Sequence, residues 1–268
     1  MRQLLILSLG AGVQSTTLAL MAANGELPMP DCAIFSDTGW EPRAVYEHLE
    51  RLENALPFPV YRVHAGNLRD DIEARNSVRS GRFAAVPWFT LDDTGKIGMG
   101  RRQCTAHYKI EPLARKVRHL LGHNGKGRVH GFADIMVGIS TDEASRMKPA
   151  RVRYMRNIWP LIDLGMSRAA CQRWLQAAGW QAPKSSCVGC PFHSNAQWRD
   201  LKDNAPDEWA EAVRLDVLIR NGGSHQAKGR QQFMHRSCKP LDEVDLSTWE
   251  ERGQPDLFNH ECEGMCGV

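Results

Sequence analysis

No apolar stretch in this 268-residue chain approaches the ~20 residues that a membrane-spanning helix needs. The run Leu4-Leu5-Ile6-Leu7 near the N-terminus is too short for the core of a signal peptide, and a Gly-rich turn follows it at once. It reads as a first strand, and the expected location is the cytoplasm. Internal repeats and low-complexity tracts are missing, which excludes solenoid and fibrous designs. A large excess of one charge is missing too. With 34 Lys and Arg against 31 Asp and Glu, the net charge is only +3, so placement of charge rather than its sum decides whether a polyanion is a partner. Hydrophobic residues make up 42%, enough for one large core or one core with a small satellite domain.

Eight cysteines are present: Cys32, Cys104, Cys171, Cys187, Cys190, Cys238, Cys262 and Cys266. Without an export signal, and in a chain too long to need staples, metal binding or catalysis is a better reading than disulfides.

Leu4–Leu9 ends in Gly10, as a buried parallel strand would. Residues 15–23 have helical spacing and stop at Asn24-Gly25. Cys32–Ser36 and Val60–Val63 read as strands, with a helix from Arg43 to Leu56 between them. Strand, helix, strand, helix, strand implies an α/β fold, a Rossmann-like parallel sheet with helices on both faces. Residues 66–102 carry little periodicity and read as a long functional loop or lid. Helices are expected at Lys109–Leu121, at Ser167–Ala178 with Ser167 as N-cap and Gly179 as stop, from Ser194-Asn195, and at Asp207–Arg220, with another strand within Val129–Ile139. The division expected is a nucleotide-binding domain over residues 1–165 and a helical, cysteine-bearing extension over 166–268.

The segment Ser8-Leu9-Gly10-Ala11-Gly12-Val13-Gln14-Ser15-Thr16-Thr17 joins a strand to a helix through Gly-x-Gly. Glycines let the backbone approach a ligand, the helix start points N–H groups at an anion, and the hydroxyls add donors. An isolated Gly-x-Gly is as often a plain tight turn. The next strand ends in Asp37-Thr38-Gly39-Trp40-Glu41, and adjacent parallel strands present these ends on one edge, where ligands bind.

Taken in order, these segments resemble the adenine nucleotide α-hydrolase, or PP-loop, superfamily, and within it the phosphoadenylyl-sulfate (PAPS) reductase-like group. Gly10–Ser15 stands where the family has Ser-Gly-Gly-x-Asp-Ser, and Asp37-Thr38-Gly39 matches its Asp-Thr-Gly. Cys104 through Lys109-Ile110-Glu111-Pro112-Leu113 resembles its Cys…Lys-x-x-Pro-Leu helix start. Gly138-Ile139-Ser140 with Glu143 and Arg146 resembles its Gly-x-x-x-x-Glu-x-x-Arg segment. Trp159-Pro160-Leu161 and Cys187-x-x-Cys190 continue the order. Among the departures, Gln14 replaces the acidic residue of the loop, and Gly10 its first serine. The resemblance implies that Ser8, Gly10, Ala11, Gly12, Gln14, Ser15, Thr16, Asp37, Thr38 and Gly39 hold ATP or PAPS, with Mg2+ accompanying it. It also implies that Lys109 and Arg146 stabilise phosphate charge.

Cys187-Val188-Gly189-Cys190-Pro191 offers two thiolates that can grip one metal or cluster. The resemblance adds Cys104 as a third ligand. Gln103 stands where the family's iron–sulfur reductases have a second cysteine, and Cys238 is the expected replacement, with Cys262, Cys266 and Cys171 as alternatives. The expected group is a 4Fe-4S cluster, with a structural zinc as alternative. Cys32 and Cys171 otherwise read as core residues. The ending Glu261-Cys262-Glu263-Gly264-Met265-Cys266 is similar to the Glu-Cys-Gly tail of PAPS reductases, where the cysteine is the nucleophile. Cys262 and Cys266 are therefore catalytic candidates, or else metal ligands.

Arg146, Lys148, Arg151, Arg153 and Arg156 crowd one segment around Tyr154. Solvated surface is the ordinary reading; a phosphate clamp or a nucleic-acid track with Tyr154, Trp159 and Trp88 stacking a base is the alternative. His107, His193, His225 and His235 lack metal-site spacing. Three functions follow. One is an ATP-using sulfur transferase acting on an acceptor such as a nucleic-acid base, with a sulfur-donor protein. Another is a sulfonucleotide reductase reset by a thioredoxin-like protein. The third is a non-catalytic, zinc-stabilised binding module. A homodimer is compatible with each.

Overall fold

Along Leu4–Leu9 alternate residues go to opposite sides: Leu7 and Leu9 join one buried cluster, Leu4 and Ile6 another, as the two-residue repeat of a strand dictates. This strand is β1 (Arg2–Leu9). It is followed by α1 (Val13–Ala23), β2 (Cys32–Asp37), α2 (Arg43–Ala55), β3 (Val60–His64), α3 (Leu68–Glu73), the short strands β4 (Ser77–Val78) and β5 (Arg82–Phe83), β6 (Phe89–Leu91) and β7 (Ile97–Met99). A π-helical turn (Thr105–Ile110) leads into α4 (Glu111–Leu120), then β8 (Gly131–Val137), a 3-10 turn (Thr141–Arg146), β9 (Met155–Ile158), α5 (Pro160–Asp163) and α6 (Arg168–Ala177). Last come α7 (Asn195–Asn204), α8 (Pro206–Asn221), β10 (Gln231–Phe233) and a second 3-10 turn (Leu241–Glu243). The computed structural model describes residues 2–74, 77–78, 82–83, 86–125, 127–221, 230–248 and 251.

Two compact units emerge. The first takes residues up to Gly66 together with Thr105–Ser185. Its five-stranded sheet has the order β3-β2-β1-β8-β9, and every pairing is parallel. The chain steps outward from β1 through β2 to β3, then returns to place β8 on the other side of β1. A parallel α/β sheet is thus the observed fold class, and β1/β8 is its topological switch point. Leu7, Leu9, Ala33, Phe35 and Met136 face α1, α2 and α6; Ile6, Ile34, Ile135 and Val137 face the α4 residues Leu113 and Val117. Helix α1 is buried along Val13–Ala22 because it runs between the sheet and α6, which explains its apolar and small residues on every side.

Helix α6 behaves as its local signals dictate: Ser167 caps it by accepting from the Ala170 N–H, and Gly179 follows its end. It belongs to the first unit, not to a C-terminal extension beginning at residue 166. Cys171 and Leu175, with Trp174 and Trp180, close the core over α1, so the expected boundary at residue 165 moves to 185.

The second unit takes Asn67–Cys104 together with the chain from Ser186 onward. Residues 67–104 are not the structureless loop expected from their composition. They supply α3 and two strands of an antiparallel sheet, β10-β6-β7, in which Phe233 pairs with Phe89 and Phe89 with Met99. Arg69–Glu211 at 2.6 Å and Arg214–Glu73 at 2.8 Å tie α3 to α8. The C-terminal region is helical as expected, and it carries this small sheet as well. Trp198 is its largest fully buried side chain, packed against His193 and Trp209 with ring centroids 4.6 and 6.3 Å away. Among the described residues no helix is long and apolar enough to cross a membrane.

Candidate functional site

The switch point sets the site. β1 ends at Leu9, and Gly10, Ala11 and Gly12 turn the chain into α1. Ala11 is fully buried at φ 53°, a left-handed conformation that costs a non-glycine residue ~1 kcal/mol or more and that packing must sustain. Ser15 folds back so that its Oγ accepts from the Gly10 N–H at 3.1 Å and the Gly12 N–H at 3.3 Å. The loop is thereby preformed by its own serine.

Two neighbours press on it. A Cβ at Gly138, one residue past β8, would stand 2.8 Å from the Ser15 N and 3.1 Å from the Gln14 carbonyl carbon. A Cβ at Gly12 would stand 2.3 Å from the Ser185 Oγ. At Gly138 the obstacle is backbone, so only glycine permits the approach; at Gly12 it is a side-chain hydroxyl. Ser185, half-buried, thus lies against the loop; nothing in the run Pro183-Lys184-Ser185-Ser186 marks it in the sequence.

Gln14 is 8% exposed and spans the switch point. Its Nε2 donates to the Ser140 Oγ at 3.3 Å and the Glu143 Oε2 at 3.0 Å, while its Oε1 accepts from the Arg168 Nη1 at 3.1 Å. Glu143 pairs in turn with Arg146 at 2.5 Å. Arg146 is thereby linked to Gln14 through Glu143. The Asp142 carboxylate accepts from the Arg168 backbone N–H at 3.0 Å. The Thr16 hydroxyl goes elsewhere: it bonds the His48 Nε2 at 2.9 Å inside the core. Burial, with Arg51 second, lowers the His48 pKa to about 4.

On the β2 side, the Asp37 Oδ1 accepts from the Gly39 N–H at 2.7 Å and the Tyr46 hydroxyl at 2.8 Å. Burial and this bond push the Tyr46 phenol well above its ordinary range. Thr38 donates to the Glu41 Oε1 at 2.9 Å, and the Lys109 Nζ stands 3.4 Å from the same oxygen. Ser36 donates to the Lys109 carbonyl, fastening the π-helical turn to β2. Ser8, the penultimate residue of β1, pairs with Ile34 and Val137 in the sheet. Glu41 beside Lys109 and Glu143 beside Arg146 hold both cations at the site's edge in buried or half-buried pairs.

No family model and no curated protein matches the chain. Among solved structures, it is similar to phosphoadenylyl-sulfate (PAPS) reductase from Candida auris, determined as a phosphate complex. The two share 14% identity and a TM-score of 0.43, over 68% of this chain and 74% of that one. The α/β assignment rests on the strand pairing described above.

The cysteines fall in two groups. Cys32 and Cys171 are core residues of the first unit, 3% and 0% exposed, and burial raises both thiols to about 11. Cys104, Cys187, Cys190 and Cys238 belong to the second. Cys187–Cys190 is a tight turn, as its spacing implies: the Cys190 N–H bonds the Cys187 carbonyl at 3.0 Å, and His193 Nε2 meets that carbonyl at 3.0 Å. Cys238 is buried at φ 52°. Among the described residues, no three His, Cys, Asp or Glu side chains converge closely enough to hold a metal ion. The expected set of Cys104, Cys187, Cys190 and Cys238 is thus not gathered into such a group. Cys262 and Cys266 lie outside the described residues, as does His225.

The basic run is not a single track. Arg156 pairs with Asp134 across neighbouring strands at 2.7 Å, and the Tyr154 hydroxyl bonds the Ala114 carbonyl. Trp88 is 4% exposed, a core residue of the second unit rather than a stacking platform. His107 is buried with its Nδ1 3.0 Å from Glu111, and His235 is buried between Ser237 and Asn195.

Proposed function

We propose that the chain is an adenine-nucleotide-dependent enzyme that holds the nucleotide by its phosphates on Gly10–Ser15 and exposes the α-phosphate to attack. The observation that carries the reading is the position of this loop. It opens a buried helix at the β1/β8 switch point, between residues following β8 on one side and those following β2 on the other. A phosphate oxygen would bond the loop N–H groups beside Ser15 or in its place. Lys109 and Arg146 would offset the charge that develops as the α-phosphate reacts. Thr38 and Glu41 would orient Lys109, and Glu143 would orient Arg146.

The order of the motifs, from the phosphate loop through Asp37-Thr38-Gly39 to Gly138…Arg146, supports ATP as the nucleotide and sulfur transfer as the outcome. An acceptor oxygen attacks the α-phosphate, pyrophosphate leaves, and a sulfur nucleophile then displaces AMP from the acceptor. Equilibrium binding of ATP and PAPS, followed by product analysis, tests this. Formation of AMP and pyrophosphate supports it. Release of sulfite from PAPS would replace it with sulfonucleotide reduction, and binding without turnover by a binding module.

A further inference from the structure

Position 14 is where this chain departs from the acidic residue of the motif it resembles, and the surroundings of Gln14 account for the change. Its amide can be oriented in only one way: Glu143 offers only acceptors and Arg168 only donors, so the NH2 faces Glu143 and the carbonyl faces Arg168. Both N–H bonds are spent on Ser140 and Glu143. Gln14 therefore links two cationic side chains across the switch point, Arg168 directly and Arg146 through Glu143 at 2.5 Å.

Among the described residues, the charged groups joined to it in this network are Arg146 and Glu143 on the 3-10 turn, Asp142 beside them, and Arg168 at the start of α6. Two positive and two negative charges cancel. An acidic side chain at position 14 would turn the cluster negative at the mouth of a phosphate loop and set a carboxylate about 3 Å from the Glu143 carboxylate.

We propose that Gln14 is a positioning residue for phosphate binding: its neutral amide holds Arg168 and the Glu143–Arg146 pair in register with the loop and keeps that end of the site from becoming negative. The proposal rests on the nucleotide-binding reading given above.

The test is ATP binding by wild type and Gln14→Glu from pH 8 to pH 5.5, with thermal denaturation of both in the absence of nucleotide. A protonated glutamic acid is close in shape to glutamine and still offers one donor toward Glu143 and one acceptor toward Arg168. Gln14→Glu should bind ATP ~tenfold or more weakly at pH 8, as expected for a like charge set against a buried carboxylate. Its affinity should climb toward wild type as the pH falls, and its deficit in melting temperature should shrink in parallel. A merely structural role would give a loss that does not track pH. Wild-type binding with an unchanged or pH-independent Gln14→Glu variant overturns the positioning role and leaves the nucleotide reading standing. Failure of the wild type to bind any adenine nucleotide overturns the nucleotide reading itself.

Discussion

The Thr16 hydroxyl and the His48 imidazole meet at 2.9 Å between α1 and α2, both side chains buried behind the Gly10–Ser15 loop. The bond fixes α1 by its inner face, one residue past Ser15. Losing one partner of a buried hydrogen bond costs ~1–3 kcal/mol. Thr16→Val should therefore lower unfolding free energy by about that amount while leaving the hydroxyl of Ser15 on the loop N–H groups. Urea denaturation measures the first effect. A Thr16→Val chain as stable as wild type would remove this bond from the account.

His48 also sets a pH window. Its folded pKa, about 4, lies below the ordinary 6.5, so the folded chain resists a proton that the unfolded chain accepts. The stability it contributes is complete above pH 6.5 and is lost as the pH falls through 4, ~3 kcal/mol in all. His235, buried and also held at about 4, adds the same dependence in the second unit. Denaturation between pH 7 and pH 4.5 should show this loss, and His48→Gln should flatten it while costing stability at pH 7. An equal acid loss in the variant would assign the window to other groups.

The two glycine approaches predict different outcomes. At Gly138 the obstacle is backbone, the Ser15 N at 2.8 Å, so Gly138→Ala must shift the start of α1. It should lose ~1–3 kcal/mol of stability, as overpacking does, and weaken ATP binding further. At Gly12 the obstacle is the Ser185 hydroxyl at 2.3 Å. Gly12→Ala should be partly rescued by adding Ser185→Ala, whereas Gly138→Ala should not. Melting temperatures of the three variants decide this.

Much of the first unit was legible because its signals are local. The Leu4–Leu9 strand, the glycine loop, the Ser167 cap and the Gly179 stop each act within a few residues, and their order implied a parallel sheet. The pairing of Phe89 with Phe233 is not local: residues 144 apart leave no mark on each other's sequence, so residues 66–102 read as a loop. The site was legible in the same uneven way. Gln14 and Lys109 were singled out from the motifs, but the groups they meet, Arg168 and Glu41, and Ser185 beside Gly12, come from segments that only the fold brings near. Cys187-x-x-Cys190 gave its turn correctly, while a third ligand depends on long-range placement that spacing cannot supply.

Burial predicts which thiols are inert. Cys32 and Cys171, both raised to about 11, should resist alkylation at pH 8 in the folded chain and react once it is unfolded. Mass spectrometry of labelled peptides reads this directly, and modification of either residue in the native protein would contradict their placement in the core.

The most direct test of the phosphate loop is isothermal titration of the full chain with ATP and, separately, with adenosine, repeated for Gly138→Ala. The account predicts that ATP binds at least ~tenfold more tightly than adenosine, a difference of ~1.4 kcal/mol, and that Gly138→Ala erodes that difference. Equal affinity for ATP and adenosine, or no binding of either, would contradict it.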